Sequence, residues 1–258
     1  MHHSSPSALN PAETGNSLRT LAAAALTTPR KPRNCPKHPS TASPTRADSP
    51  VRNPTAWMFV AAMSSLFLLL GTLNAYGQVL VGEALGVPVR IASVIMMSFW
   101  GANLVASLSI SRWSDRIQRR TPFLLAGGSA TAAALTILIA LLPLGTAAPT
   151  LVVVAVFIGL GVALGAVFGP WMAAFAAYVE ETHVDAQGTA FGLQHLISRL
   201  VVLGAVLLAP RIADAAGWSA WLLVTLAATG AFIALVLALH RRAPERTPEP
   251  VEQRSAAG

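Results

Sequence analysis

The sequence predicts an all-α integral membrane protein built as a bundle of six transmembrane helices. Of the 258 residues, 53% are hydrophobic and only 11% are charged, whereas soluble domains carry about 25% charged residues. The mean hydropathy is +0.57. The apolar residues are gathered into long runs rather than amphipathic stripes, as a bilayer requires. The basic residues lie in the turns and tails around these runs.

Six apolar segments follow one another along the chain, and each is predicted to cross the bilayer. Most have 21 to 24 residues, which suits a hydrocarbon core of about 30 Å at 1.5 Å per residue. The fourth is longer and contains Gly169-Pro170, which predicts a tilted or broken helix. The six segments are approximately Trp57–Leu80, Ile91–Ser111, Phe123–Pro143, Thr150–Tyr178, Ala190–Pro210 and Trp218–Leu239.

The predicted domain organisation is a tail over residues 1–54, the six-helix domain over 55–240 and a second tail over 241–258. The first tail is rich in Pro, Ser and Thr and has seven basic residues, so we expect it to be disordered. A transit peptide and a mis-assigned start codon remain alternative interpretations of this segment.

The distribution of Lys and Arg predicts the orientation. If the N-terminus is cytoplasmic, 15 of the 18 basic residues fall in cytoplasmic segments and two, Arg90 and Arg211, fall outside. The remaining one, Arg199, lies within a span. This asymmetry predicts that both termini are cytoplasmic.

Several function classes are disfavoured. The basic residues do not form a patch interleaved with aromatics, so we expect no nucleic-acid partner. Phosphate-binding loops, nucleophile elbows and metal-ligand spacings are missing from the sequence, which predicts no enzyme activity, no cofactor and no metal. The single cysteine, Cys35, allows no intramolecular disulfide.

A basic loop between the second and third spans, Ser111 to Arg120, resembles the signature loop of the major facilitator superfamily of secondary transporters. Asp115, Arg116, Arg119 and Arg120 match the pattern Gly-x-x-x-Asp-Arg-x-Gly-Arg-Arg, while Ser111 and Gln118 replace its glycines. Segments 168–172 and 188–192 also look like second-half segments of bacterial members.

The resemblance implies a secondary transporter of a small molecule in a bacterial plasma membrane. A complete member has twelve helices in two halves, so this chain corresponds to one half, more like the C-terminal one. The chain is then either a truncated product or a half-transporter that pairs with itself or with another half. The alternative is a non-transporting membrane scaffold or regulator.

Two roles are predicted for the loop residues. Asp115 beside a helix N-terminus, with the arginines as partners for it or for nearby acids, predicts a latch for one conformation. The alternative is that Arg116, Arg119 and Arg120 only anchor the loop to the cytoplasmic side.

Polar residues within the spans are the candidates for a transport pathway. Arg199 stands out because a charge at mid-bilayer costs at least about 2.5–3.5 kcal/mol, so it must face protein, water or a carboxylate. His195 lies one turn away. The other candidates are Asn74, Gln78, Trp100 and Asn103, for which bonding between helices is the plainer interpretation.

Gly161, Gly165 and Gly169 recur every four residues in the fourth span and precede Pro170. They share one helix face and predict close approach of a neighbouring helix, within the chain or between chains. Three tryptophans near span ends are interpreted as interface anchors without chemistry: Trp57, Trp218 and Trp221.

Overall fold

The computed structural model describes residues 53–117, 119–182 and 187–242, and the predictions made for the two tails lie outside them. The described residues are almost entirely helical, which confirms the all-α class. Two helices continue into a short turn of another kind, π-helical over Leu80–Ala84 and 3-10 over Leu142–Ala147. The helices are α1 (Pro54–Val79), α2 (Val89–Ile117), α3 (Thr121–Leu141), α4 (Thr150–Thr182) and α5 (Gln187–Arg242).

Helix α5 contains the fifth and sixth predicted spans in one helical run of 56 residues. At 1.5 Å per residue it would be about 84 Å long, far more than one bilayer crossing needs. Gly217 interrupts it with φ +82°, in the left-handed region that favours glycine. We call residues 187–216 the first limb and 218–242 the second limb. The predicted loop between the two spans is therefore helical, with Gly217 as its only break.

Contacts show that the two limbs run in opposite directions. In the first limb, Ser198 lies beside Ser64 of α1, and the Val206 carbonyl accepts a hydrogen bond from Tyr76 further along α1 (2.8 Å). The second limb begins near the same end of α1 and then packs against the early part of α3. The described residues thus contain five helices that are long and apolar enough to cross a membrane, and α5 contains two of the six predicted segments.

Helix α4 remains continuous through Pro170, so of the two predicted possibilities the broken helix is wrong and the tilted helix stays a prediction. Proline removes only one backbone donor, and the 33-residue helix retains its packing on both sides of that position. We call the end of the bundle where α1 begins the base. The opposite end holds the π-helical turn and Gly217.

The helices form a chain of neighbours. Helix α2 packs on α4, α4 on α3, α3 on the second limb of α5, and both limbs on α1. Helix α2 and the first limb are therefore the first and last helices in this row of neighbouring helices. Among the 18 most apolar consecutive residues of each helix, 28% are buried in α2, whereas 56% are buried in α1 and in α4. The bundle is thus left open between α2 and the first limb, in front of α1.

Aromatic side chains fill the core near the base. Phe59 of α1 packs on Trp171 and Phe175 of α4, with ring centroids 6.5 and 5.7 Å apart. Phe175 also meets Phe191 of the first limb edge-to-face at 5.1 Å. These contacts hold α1, α4 and α5 together at the end opposite Gly217.

The interface role predicted for Trp221 is wrong. Its side chain is 1% exposed, and its indole N–H donates to Thr72 Oγ1 of α1 over 2.9 Å. Trp57, by contrast, is 40% exposed near the base. A tryptophan near a span end is buried when a neighbouring hydroxyl satisfies its N–H.

Candidate functional site

Helix α1 contributes two exposed amides, Asn74 and Gln78. Positions seven apart lie nearly above one another on a helix. Asn74 therefore stands above Phe67, whose ring packs on Phe168 of α4 (5.7 Å), and Gln78 stands above Gly71, which faces α5. The two amides consequently lie on the side of α1 between α4 and α5, which is the open side.

The first limb of α5 brings His195 and Arg199 to the same side. Val202 lies against Gly71 so closely that a β-carbon on that glycine would be 3.1 Å from it. His195 stands two turns before Val202, just as Gln78 stands two turns after Gly71. Both polar residues therefore border the seam between the two helices. Arg199 lies one turn from His195, and both are exposed.

An adjacent side of the first limb is buried against α1 through polar contacts that the sequence analysis did not predict. Gln194 Nε2 donates to Ser198 Oγ (2.9 Å), and that hydroxyl lies 3.5 Å from Ser64 Oγ of α1. All three residues are buried. This seam orients the limb, and the four-residue spacing of Gln194 and Ser198 within a span was the available signal.

Trp100 of α2 lies on this same side of the bundle, whereas Asn103 of α2 contacts α4. Met96 packs against Gly77, next to Gln78, and Trp100 lies one turn further along the same side of α2, partly exposed. Asn103 instead donates from Nδ2 to the Gly161 carbonyl of α4 over 3.3 Å. Asn103 therefore bonds two helices together, which is the plainer of the two predicted roles.

Five of the six pathway candidates thus share one side of the bundle. We define the open face by these residues: Asn74, Gln78, Trp100, His195 and Arg199. Arg199 follows the start of α5 by 12 residues, which is about 18 Å from the base at 1.5 Å per residue. It lies close to the level of Ser64, near the middle of α1. Trp100 and the amides lie further from the base.

The electrostatics of the open face are dominated by Arg199. Within the described residues, no hydrogen bond or ion pair joins its guanidinium to another residue. A guanidinium carries five N–H donors and remains charged in proteins. An exposed, unpaired arginine at this depth cannot be satisfied by hydrocarbon.

The three glycines of α4 line its contact with α2. A β-carbon added at Gly161 would overlap the Phe99 carbonyl, one at Gly165 the Asn103 carbonyl, and one at Gly169 the Ser111 hydroxyl. The close approach is therefore within the chain. Pro170 follows the last of these glycines and is buried. These residues shape the wall of the bundle and do not reach the open face.

Most of the predicted basic loop is helical. Helix α2 continues to Ile117, so Asp115 and Arg116 lie in its last turns. Asp115 therefore precedes the start of α3 at Thr121 by six residues, and its role as a latch beside a helix N-terminus stays a prediction. Helix α2 extends this far because the sequence from Val89 to Ile117 contains no proline. The next proline along the chain is Pro122.

Of the loop arginines, Arg120 makes a defined contact between helices. Its Nη1 donates to the Ala173 carbonyl of α4 over 2.6 Å, while its backbone caps the start of α3. Arg116 and Arg119 are exposed. Arg120 therefore links the start of α3 to α4 at the base.

A family model described as Major Facilitator Superfamily matches residues 18–203 and, in a second alignment, residues 58–257. The second match runs through all five described helices. The chain belongs to the major facilitator superfamily. It is an integral, multi-pass membrane protein of a transporter family. No curated protein and no solved structure matches it.

The six helical segments account for one half of the twelve-helix architecture typical of this superfamily. The pairing of helices repeats within the half, since α1 with the first limb of α5 corresponds to α4 with α2. Such nested three-helix repeats are a property of the superfamily. The open face is the side of this half that none of its own described helices covers.

Proposed function

We propose that the chain is one half of a secondary transporter that moves a small molecule by pairing with a second half. The second half is another copy of the chain, a different chain, or a further part of a longer polypeptide from which this sequence is truncated. Energy comes from an ion gradient or from the substrate's own gradient, and no catalysis, cofactor, metal or nucleic acid is involved. The proposal places the protein in a bacterial plasma membrane with both termini cytoplasmic.

The observation that carries this proposal is the open face with Arg199 at its centre. A surface that faces lipid throughout would be apolar, whereas this one combines a guanidinium, an imidazole and two amides. Polar groups at bilayer depth are stable where they line water or contact protein. A transport pathway between two halves supplies both environments.

The alternative function is a membrane scaffold or regulator that keeps the fold and transports nothing. The partner-binding role of the open face would be retained in that case. The segment around Arg120 is compatible with both functions, because it stabilises the bundle whether or not the bundle changes conformation.

Solute flux in reconstituted vesicles separates the two functions. Candidate solutes come from a thermal-shift screen of the purified full chain against metabolites and drugs at two pH values. We expect a stabilising solute to be taken up by wild-type vesicles and not by vesicles with Arg199→Gln. Stabilisation by a solute without any uptake, in vesicles shown to contain paired chains, would favour the scaffold.

A further inference from the structure

We infer that the region where α2 ends and α3 begins binds an anionic phospholipid, on the side of the bundle that faces away from the open face. We define the lipid site by four residues: Trp113, Arg116, Arg119 and Phe123. The inference does not depend on the proposed function, because a lipid can bind a transporter half and a scaffold alike.

Two aromatic rings form the apolar part of the lipid site. Trp113 of α2 is 59% exposed, although its ring meets that of Phe123 of α3 edge-to-face with centroids 5.5 Å apart. Trp113 follows the start of α2 at Val89 by 24 residues, which corresponds to about 36 Å along the helix. That length exceeds a hydrocarbon core of about 30 Å, so Trp113 lies at the membrane interface, where tryptophan is enriched.

The lipid site lies on the outward side of α2. Trp113 is 13 residues from Trp100, so the two positions are about 140° apart around the helix. Arg116 is three residues from Trp113, which places it about 60° from the ring. Trp100 belongs to the open face, so the lipid site is on a different side of the bundle. A lipid can therefore occupy the site whether or not the open face is covered.

The arginines around these rings give this end of the bundle a positive charge. The sequence from Ser111 to Arg120 contains four arginines and one acid, Asp115. Arg120 donates to α4, whereas the other three arginines are exposed. The second limb of α5 packs beside α3 and ends here with the exposed Arg241 and Arg242.

Three acids among the described residues also lie at this end, and they leave an excess of positive charge. Asp115 lies on α2, and Glu180 and Glu181 lie near the end of α4. Ala173 of α4 is close to the level of Arg120, since the two are hydrogen-bonded. Glu180 follows Ala173 by seven residues, so it lies about 10 Å further from the bilayer centre. The arginines are therefore nearer than the two glutamates to the lipid headgroups.

The headgroup that fits this arrangement carries a phosphate and no cation of its own. A guanidinium presents a planar fork that binds two phosphate oxygens through parallel hydrogen bonds. A zwitterionic headgroup would bring a second cation close to Arg116 and Arg119, whereas an anionic headgroup does not. The acyl chains contact the rings of Trp113 and Phe123, which a free phosphate cannot do. This combination selects an anionic phospholipid.

Fluorescence quenching by brominated lipids tests whether the site is occupied. Full-length protein is reconstituted in phosphatidylglycerol mixed with phosphatidylcholine, with bromine on the acyl chains of one lipid or of the other. The Trp113 signal is the difference between wild type and Trp113→Phe. We expect bromine on phosphatidylglycerol to quench this signal more than the same amount of bromine on phosphatidylcholine. Equal quenching by the two lipids, or a Trp113 signal that neither quenches, would overturn the inference.

Paired charge variants test whether the arginines of the site hold the headgroup. Arg116→Gln with Arg119→Gln removes two charges from the site, and Arg241→Gln with Arg242→Gln removes two exposed charges from the same end. The first pair should lower the preference for phosphatidylglycerol by about fivefold per arginine, the factor for one basic residue at an anionic surface. The second pair should keep most of the preference. Equal losses in the two pairs, or no loss in the first, would contradict the site. Both leaflets have the same composition, so the orientation of the chain does not affect the comparison.

Thermal unfolding in detergent gives a measurement that does not use Trp113 fluorescence. Added phosphatidylglycerol should raise the melting temperature of the wild-type protein more than phosphatidylcholine does, and Arg116→Gln with Arg119→Gln should lose this difference. Glycerol phosphate is the soluble control and should not stabilise the protein, because it has no acyl chains. Stabilisation by glycerol phosphate equal to that by the lipid would show an anion site rather than a lipid site.

Discussion

At the scale of single residues, Arg199 and Arg120 show two different uses of arginine in one bundle. Arg120 has an acceptor, the Ala173 carbonyl at 2.6 Å, and its energetic role lies within the chain. Arg199 is exposed at mid-bundle with no partner in the described residues. The first is explained by the isolated half, while the second needs something outside it.

Replacement of Arg199 by leucine should leave membrane insertion unchanged or improved and abolish transport and partner binding. The variant removes an insertion cost of at least about 2.5–3.5 kcal/mol together with the guanidinium that the function needs. Membrane-fraction yield and vesicle flux measure the two effects. Arg199→Lys keeps the charge and loses the planar fork, so it should retain pairing better than leucine but transport poorly. Normal flux and pairing in Arg199→Leu would reduce Arg199 to an anchor.

Replacement of Arg120 by glutamine should lower the free energy of unfolding by about 1.5–3 kcal/mol, the range for a hydrogen bond to a charged group. The matched control is Arg119→Gln, which removes the same charge from the adjacent exposed position. We expect the control to change stability by less than about 0.5 kcal/mol. Detergent-solubilised unfolding curves give both values, and equal losses would mean that only charge at the base matters.

At the scale of elements, the contact between α2 and α4 depends on backbone proximity. Gly161, Gly165 and Gly169 bring α4 against carbonyl groups and small side chains of α2. Asn103 then adds a hydrogen bond to the Gly161 carbonyl. Small residues that permit close approach, with a polar side chain as support, are the usual source of helix association in lipid.

Gly165→Ala should destabilise the protein by about 1–3 kcal/mol, because its new methyl group would overlap the Asn103 carbonyl, which a helix backbone cannot move easily. Gly159→Ala is the control on the same helix, since nothing lies within 4 Å of a β-carbon there. That variant should be neutral or more stable by up to about 1 kcal/mol. The melting temperatures of both variants measure the effect of the clash, because both replacements change helix propensity equally. Similar shifts in melting temperature would argue against the close contact.

At the scale of the whole molecule, two opposed limbs in α5 return the chain to the base. The described chain starts and ends at that end, with Pro54 at the start of α1 and Arg242 at the end of α5. An even number of bilayer crossings requires this. Among the described residues, the arginines of the segment between α2 and α3 and those at the end of α5 lie at this same end, and its cytoplasmic location stays a prediction.

Thiol labelling tests the orientation of the molecule. In the Cys35→Ser background, Ala147→Cys and Ala215→Cys should react with an impermeant maleimide from outside intact cells, and Glu181→Cys should react only after permeabilisation. Ala147 and Ala215 are exposed at the end opposite the base, and Glu181 is exposed at the base. The reverse labelling pattern would show that the termini are outside.

The membrane class, the six apolar helical segments and the shared face of the three α4 glycines were predicted from the sequence alone. Each depends on the length of an apolar run or on helical period, and both are local properties. The ends were less well predicted: α2 extends to Ile117 and takes Asp115 with it, because no helix-breaking residue comes earlier.

Only the tertiary structure decided which neighbour each helix face meets. Helical period places Asn103 and Trp100 near each other on α2, yet one bonds to α4 and the other reaches the open face. Helical period also cannot show that Trp221 is buried or that Gln194 orients Arg199. In a soluble helix, the polar side marks the outside, but in a bilayer both sides are apolar. That cue is then missing, and only packing between helices distinguishes a wall from a pathway.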